Sequence, residues 1–238
     1  MESGDGRPRF GDEMIALYDV RKVFSQGKAN EFVALHGVSL SIEANKITVI
    51  KGPSGSGKTT LLSLIGCMSR PSSGRIFIGD REVTSLPERF LTEIRQKTFG
   101  FIFQQFNLLT GISTIENVML PAYPLGVKHS TVKKRAMNLL DLFGISSKAH
   151  AKVESLSGGE AQRAAIARAL INDPAVIIAD EPTAHLDTQR SMEFMDILTD
   201  LRENGKTILI ASHDPLIFNS HRVATAVSIR DGRIEAGE

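Results

Sequence analysis

The sequence predicts an α/β fold: a parallel sheet with helices on its faces, an N-terminal antiparallel β-subdomain and an inserted α-helical lobe. Three observations predict it. Residues 46–51, 175–180 and 207–212 are short apolar runs, as expected of strands buried on both faces of a parallel sheet. Stretches with helical spacing lie between and beside them, and such alternation of strand and helix is what parallel crossovers require. Residues 15–20 and 38–42 instead alternate apolar and polar side chains, the pattern of half-exposed antiparallel strands.

The elements follow in chain order. Residues 1–13 are polar and Gly-rich and read as a disordered lead-in; residues 14–238 read as one domain. The run 46–51 feeds a Gly-rich stretch and then a helix over 59–68. Residues 90–169 are mostly helical in pattern, with breaks at Gly111, Pro121, Pro124 and Gly126. Within them, 130–143 is an amphipathic helix, and about 105–165 forms the inserted lobe. A helix over 188–204 is closed by Gly205. Residues 226–229 and 233–235 flank Asp231-Gly232, a two-residue hairpin turn.

Bulk properties narrow the function. A chain of 238 residues suits one large domain or one domain with an insertion. Hydrophobic residues are 42% and charged residues 23%, the mix of a globular core. Lys+Arg total 28 against Asp+Glu 27, a net charge of +1, so nothing in the balance points to nucleic acid. The single Cys67 excludes an internal disulfide, and with no apolar leader it fits a reducing, cytosolic compartment. The longest apolar runs, 175–179 and 208–211, are too short to span a bilayer.

Three motifs carry chemistry. Gly52, Pro53, Ser54, Gly55, Ser56, Gly57, Lys58 and Thr59 match the phosphate-loop pattern at every fixed position, between a predicted strand and a predicted helix. Glycines there let backbone N–H groups close around phosphate oxygens, and the following helix, with Thr60 in its first turn, points its positive end at the anion. Lys58 supplies charge to the β- and γ-phosphates of ATP, and Thr59 a hydroxyl to Mg2+. The second motif is the strand 175–179 ending in Asp180 and Glu181. Asp180 fits a Mg2+ partner, direct or through water, and Glu181 a base that polarises the attacking water; an acid pair opening a helix is the plainer alternative. The third is Ser157, Gly158, Gly159 and Glu160 ahead of a helix. Ser157 is a natural N-cap there, so the stretch reads either as an ordinary capped helix or as a second anion site completing a nucleotide site on another copy of the chain.

Leu156-Ser157-Gly158-Gly159-Glu160, with the phosphate loop upstream and the acid pair about twenty residues on, resembles the signature of the ABC ATPase family. The resemblance covers residues 15–235 and implies the fold of that family: a P-loop NTPase core with the β-subdomain and helical lobe described above. It implies that Gln104 is the glutamine that touches Mg2+ or the water, where sequence alone offers only a polar residue ending a strand. It likewise implies that His213 contacts the γ-phosphate, that Asp187 lies in a loop crossing a dimer interface, and that Phe24 stacks on adenine. Ala161, His185 and Ser212 depart from commoner residues without removing a catalytic group.

The resemblance further implies a homodimer closed head-to-tail around ATP, serving a separately encoded integral-membrane permease from the cytoplasmic face of the membrane. Residues 99–109, 114–118 and 120–121 resemble the branch for lipoprotein release, macrolide export and the cell-division permease. Phe106, Leu108, Leu109 and Ile112 are apolar candidates for the permease-facing surface; ordinary helical core is the alternative. A soluble ABC ATPase acting on nucleic acid or ribosomes is the competing function; one domain, one cysteine and no long heptad run argue against it. A nucleotide-binding regulator without turnover is disfavoured by Glu181 and His213.

Overall fold

The computed structural model describes residues 13–184 and 186–235. The expected lead-in therefore lies, except for Glu13, outside the described residues, as does His185. The elements in order are β1 (Glu13–Phe24), β2 (Phe32–Glu43), β3 (Ile47–Lys51), α1 (Lys58–Ile65), β4 (Ser73–Ile78), β5 (Arg81–Glu82), α2 (Glu88–Thr98), β6 (Phe99–Ile102), α3 (Thr114–Met119), α4 (His129–Leu142), α5 (Gly158–Leu170), β7 (Val176–Asp180), α6 (Thr188–Glu203), β8 (Thr207–Ser212), α7 (Pro215–Phe218), β9 (Thr225–Arg230) and β10 (Arg233–Ile234).

Two sheets organise them. One has the order β2-β1-β4-β5 and is antiparallel throughout; the other has the order β10-β9-β3-β8-β7-β6 and is parallel from β9 to β6. The three apolar runs form the centre of the second sheet, and alternation along them feeds two cores. Ile50, Val176, Ile178, Leu209 and Ala211 face the core shared with α1 and the antiparallel sheet. Ile47, Val49, Ile177, Ala179, Ile208 and Ile210 face the core shared with α5 and α6. A third cluster joins α3 and α4 to one side of α5 through Val118, Val132, Ala136, Leu140 and Ala164.

The antiparallel pairing of β1 with β2, the parallel sheet and the C-terminal hairpin are as the sequence predicts. Asp231 and Gly232 both have φ > 0, the conformation a two-residue I′ turn needs. Strands β4 and β5 and helix α7 are elements the sequence reading did not anticipate. Strand β4 forms because its Ile78 and Ile76 pair with Ile15 and Leu17 of β1. The mostly helical pattern over 90–169 is interrupted by β6, the edge strand of the parallel sheet.

Strand β6 and helix α5 meet backbone to backbone at Gly100, where an added Cβ would lie 2.3 Å from the Ala169 carbonyl oxygen. Gly100→Ala is expected to destabilise the chain by roughly 1–3 kcal/mol, as overpacking does. For a chain of this size that is a fall in Tm of about 2–12 °C. An unchanged melting temperature would mean that helix and strand are free to separate.

Candidate nucleotide site

The site lies at the carboxyl ends of β3, β7 and β8, where open α/β sheets bind ligands. Pairing sets these ends side by side: Lys51 opposite Ser212, and Asp180 opposite Ala211. The loop leaving β3 turns sharply into α1. Gly57 has φ 106°, a conformation that favours glycine, and an added Cβ would stand 2.9 Å from the Ala34 carbonyl oxygen. At Gly52 a Cβ would meet the Ile229 carbonyl oxygen at 2.1 Å, so β9 backs the loop directly. The Gly232 amide donates to the Ser56 carbonyl at 3.0 Å, tying the C-terminal hairpin to the same loop.

Lys58 is buried at 5% exposure. Its Nζ donates to the carbonyls of Gly52 (2.8 Å) and Pro53 (3.0 Å) and stands 3.2 Å from Glu181 Oε1. Glu181 leaves β7 in the left-handed region, φ 46°, with its amide donating to the Ala211 carbonyl at 2.9 Å. For a residue other than glycine that conformation is strained, and here it turns the carboxylate into the cleft. Glu181 Oε2 lies 2.9 Å from His213 Nδ1 and also accepts the His213 amide at 3.3 Å.

Thr59 Oγ1 donates to Asp180 Oδ1 at 3.2 Å. Burial raises the Asp180 carboxyl above its ordinary value; the Thr59 hydrogen bond opposes this, the Glu181 charge adds to it and Lys58 lowers it again. Because folding raises this pKa, the folded chain favours the protonated acid. The stability contributed by Asp180 is fully present below the ordinary carboxylate range and is lost as pH rises through the raised value. At pH 7 Asp180→Asn should therefore melt above the wild-type chain when no ligand is added. A rise in Tm absent at pH 7 would count against burial as the dominant influence on this acid.

A cleft of about 380 Å3 joins these groups; its walls include Ser54, Gly55, Lys58, Thr59, Gln104 and Glu181, with His213 and Thr60 at its edge. Asp180 lies beside it, on a narrow recess of about 90 Å3 that it shares with Thr59. The structure thus gathers the phosphate loop, both acids, Gln104 and His213. Phe24 is not among the residues lining the cleft, and Lys22 Nζ covers its ring at 4.9 Å. Phe32, the register partner of Phe24 on β2, lines the cleft instead and is 59% exposed. The sequence reading missed Phe32; the aromatic pair closing the β1–β2 hairpin was the available signal.

The third motif also stands off this cleft. Ser157 caps α5 in a reciprocal box: its Oγ accepts from the Glu160 amide at 3.4 Å, and Glu160 Oε2 accepts from the Ser157 amide at 2.8 Å. Gly158 and Gly159 bare the helix end, and added Cβ atoms there would lie 3.8 Å from guanidinium nitrogens of Arg190 and Arg163 respectively. Asp187 caps α6, its side chain accepting from the Arg190 amide at 2.9 Å. The two arginines are cations beside the capped end that the sequence reading did not single out; both follow their motif by a single helical turn.

A groove of about 270 Å3, which shares Phe101 and Phe103 with the recess beside Asp180, runs between β6 and the turn after α3, lined by Phe99, Phe101, Phe103, Pro121 and Pro124 among others. Phe106, Leu108, Leu109 and Ile112 do not line it. Leu108 packs against the third core, and Leu109 is 54% exposed.

A strand-loop-helix phosphate cradle with a buried lysine, strand-borne acids and a separate capped helix end defines a nucleotide triphosphatase of the ATP-binding cassette class. Residues 35–184 match the ABC transporter family, and the chain belongs to it. It is 42% identical to an uncharacterised ABC transporter ATP-binding protein of Thermotoga maritima, over 95% of each chain. It is 43% identical to the macrolide export ATP-binding/permease protein MacB of Hyphomonas neptunium, covering 93% of this chain but only 34% of that one. Among solved structures, the dimeric MJ0796, a bacterial ABC transporter cassette, superposes with a TM-score of 0.85 at 37% identity, over 94% of this chain and 98% of that one. The same cassette in a post-hydrolysis dimer bound to ADP and Pi matches with a TM-score of 0.84. The chain is an ABC ATPase cassette, in fold and in enzyme class. No helix among the described residues is long and apolar enough to cross a membrane.

Proposed function

We propose that two copies of this chain close head-to-tail around two MgATP molecules, hydrolyse them, and so drive a separately encoded membrane permease from the cytoplasmic side. One observation carries the dimeric part of this reading. The cleft holds Lys58, Gln104, Glu181 and His213, while the capped anion site at Ser157–Gly159 lies off it on the same chain. A second copy would bring that helix end to the open side of the nucleotide, with Arg163 and Arg190 adding positive charge.

Within each site the phosphate loop binds the triphosphate through backbone N–H groups and Lys58. Phe32 offers a ring face to the base. Thr59 and Asp180 are hard oxygen donors and suit Mg2+. Among the described residues no cluster of three or more His, Cys, Asp or Glu is built to hold a metal, so such an ion would rely on phosphate and water oxygens for its remaining ligands. When bound, it would neutralise charge developing on the β- and γ-phosphates. Glu181 orients the attacking water and accepts its proton. His213, 2.9 Å away, holds that carboxylate in place and faces the γ-phosphate position. Gln104 borders the same space.

The apolar groove beside β6 supports the permease part of the reading. A groove lined by half-buried Phe101, Phe103 and Pro121 and by exposed Pro124 fits an apolar segment of a partner. The candidate residues Phe106, Leu108, Leu109 and Ile112 do not line it. The 43% identity to MacB supports an export system as the one served; the cargo contacts would lie on the permease.

Light scattering on Glu181→Gln, with and without ATP, tests the sandwich. The expected result is a doubling of mass only with ATP. A monomer that still binds ATP would sink the head-to-tail reading. Asp180→Asn tests the metal pair in the same preparation. For the wild-type chain, MgATP at 100 times its Kd should stabilise by about 2.7 kcal/mol. In Asp180→Asn the Mg2+-dependent part of that gain should vanish.

A further inference from the structure

We infer that Arg168 is a positioning residue for Gln104, clamping the loop that carries it to the far end of the signature helix. This rests on the reading of Gln104 as part of the hydrolytic site. Arg168 sits in the last turn of α5 and is 9% exposed. Its guanidinium donates two hydrogen bonds, Nη1 to the Asn107 carbonyl and Nη2 to the Phe106 carbonyl, each at 2.5 Å. Phe106 and Asn107 both have left-handed backbone conformations, φ 57° and 47°. Two consecutive residues other than glycine hold such angles only where the surroundings impose them. Their carbonyls are turned inward onto the two Nη atoms of one planar fork, an arrangement of two fixed donors that the single nitrogen of a lysine does not reproduce.

The remaining contacts make α5 a rigid strut. Ala169 abuts Gly100 of β6, and Asn172, just past the helix, donates to the carbonyls of Gln96 (3.2 Å) and Pro121 (2.9 Å). The loop is pinned again downstream, where buried Asn117 accepts the Leu109 amide at 2.7 Å and donates to the Leu109 carbonyl at 3.0 Å. Gln104 therefore stands between the end of β6 and the Arg168 clamp. Thirteen helical residues separate Ser157 from the end of α5 at Leu170, a span of about 20 Å at 1.5 Å per residue. Whatever moves the capped end of α5 moves the clamp with it. Arg168 also borders the apolar groove, so a partner seated there would bear on the same loop.

The test is a double-mutant cycle in steady-state ATP hydrolysis by the full chain. Arg168→Met should lower kcat by about 10-fold to 100-fold, the range for small misplacements of a positioned group, with KM for ATP changed by less than about 3-fold. In a Gln104→Ala background the same substitution should change kcat by less than about 2-fold, because its effect passes through Gln104. If Gln104→Ala lowers kcat and Arg168→Met multiplies that loss, the clamp is only structural and the proposal fails alone. If Gln104→Ala leaves kcat untouched, the role of Gln104 fails, and the proposal with it. Should Arg168→Met not fold, Arg168→Lys carries the same cycle. It keeps the charge, puts one nitrogen in place of the two-nitrogen fork, and should show the same dependence on Gln104 with a smaller fall in kcat.

Discussion

Lys58→Ala is expected to weaken ATP binding by at least about 30-fold, with the fold retained. The reason is the company Lys58 keeps. Its ammonium group is buried against two carbonyls of its own loop and stands 3.2 Å from Glu181 Oε1. Removing it leaves the Glu181 carboxylate facing an incoming triphosphate with no cation between them. Losing one member of a buried, hydrogen-bonded charge set costs about 2–5 kcal/mol in binding. Lys58→Arg should not restore affinity, since the broad guanidinium fork does not fit beneath a loop whose carbonyls accept from a single nitrogen. Titration calorimetry with ATP checks both variants. A Kd within about 3-fold of wild type for Lys58→Ala would show that the backbone amides alone hold the phosphates.

Glu181→Gln is expected to lower kcat by about 100-fold to 10,000-fold, the range for loss of a general base, while ATP affinity stays within a few fold. The substitution keeps size and one acceptor oxygen, replaces the other with an NH2 that cannot accept, and removes the proton acceptor. The strained φ of 46° at this position is set by the backbone turn out of β7, so glutamine should occupy the same place. Single-turnover phosphate release separates chemistry from product release. A rate within 10-fold of wild type would move the base elsewhere in the cleft, with His213 the next group to test.

Much of the nucleotide site was legible because its signals are local. The phosphate loop is a contiguous backbone pattern, the acid pair ends an apolar strand, and Ser157 is an N-cap residue ahead of a helix. Each depends on neighbours in the chain, and each appears where the sequence places it. Strand β4 was missed for the opposite reason: it is a strand only because β1 lies beside it. Phe24 and Phe32 show the limit more sharply. They close the same hairpin as paired residues, and alternation along β1 and β2 cannot say which ring turns toward the phosphate loop. Arg163, Arg168 and Arg190 read in sequence as ordinary helical cations; the Phe106 and Asn107 carbonyls that accept from Arg168 lie in another segment, and Arg190 of α6 stands beside Gly158 of α5.

By itself, then, the sequence determined the chemistry available to this ATPase: a phosphate cradle, two acids at a strand end, a bare helix cap and the sheet that carries them. Those features follow from backbone propensity and from residue spacing within single elements. Only the tertiary structure decided which of them act together. The strand order β9-β3-β8-β7 brings the ends of non-consecutive segments side by side. It sets Glu181 within reach of Lys58 and His213, while the antiparallel sheet brings Phe32 rather than Phe24 to the cleft and Ser157 lies off it. Sequence periodicity records which face of an element is buried, but carries no record of which distant element buries it.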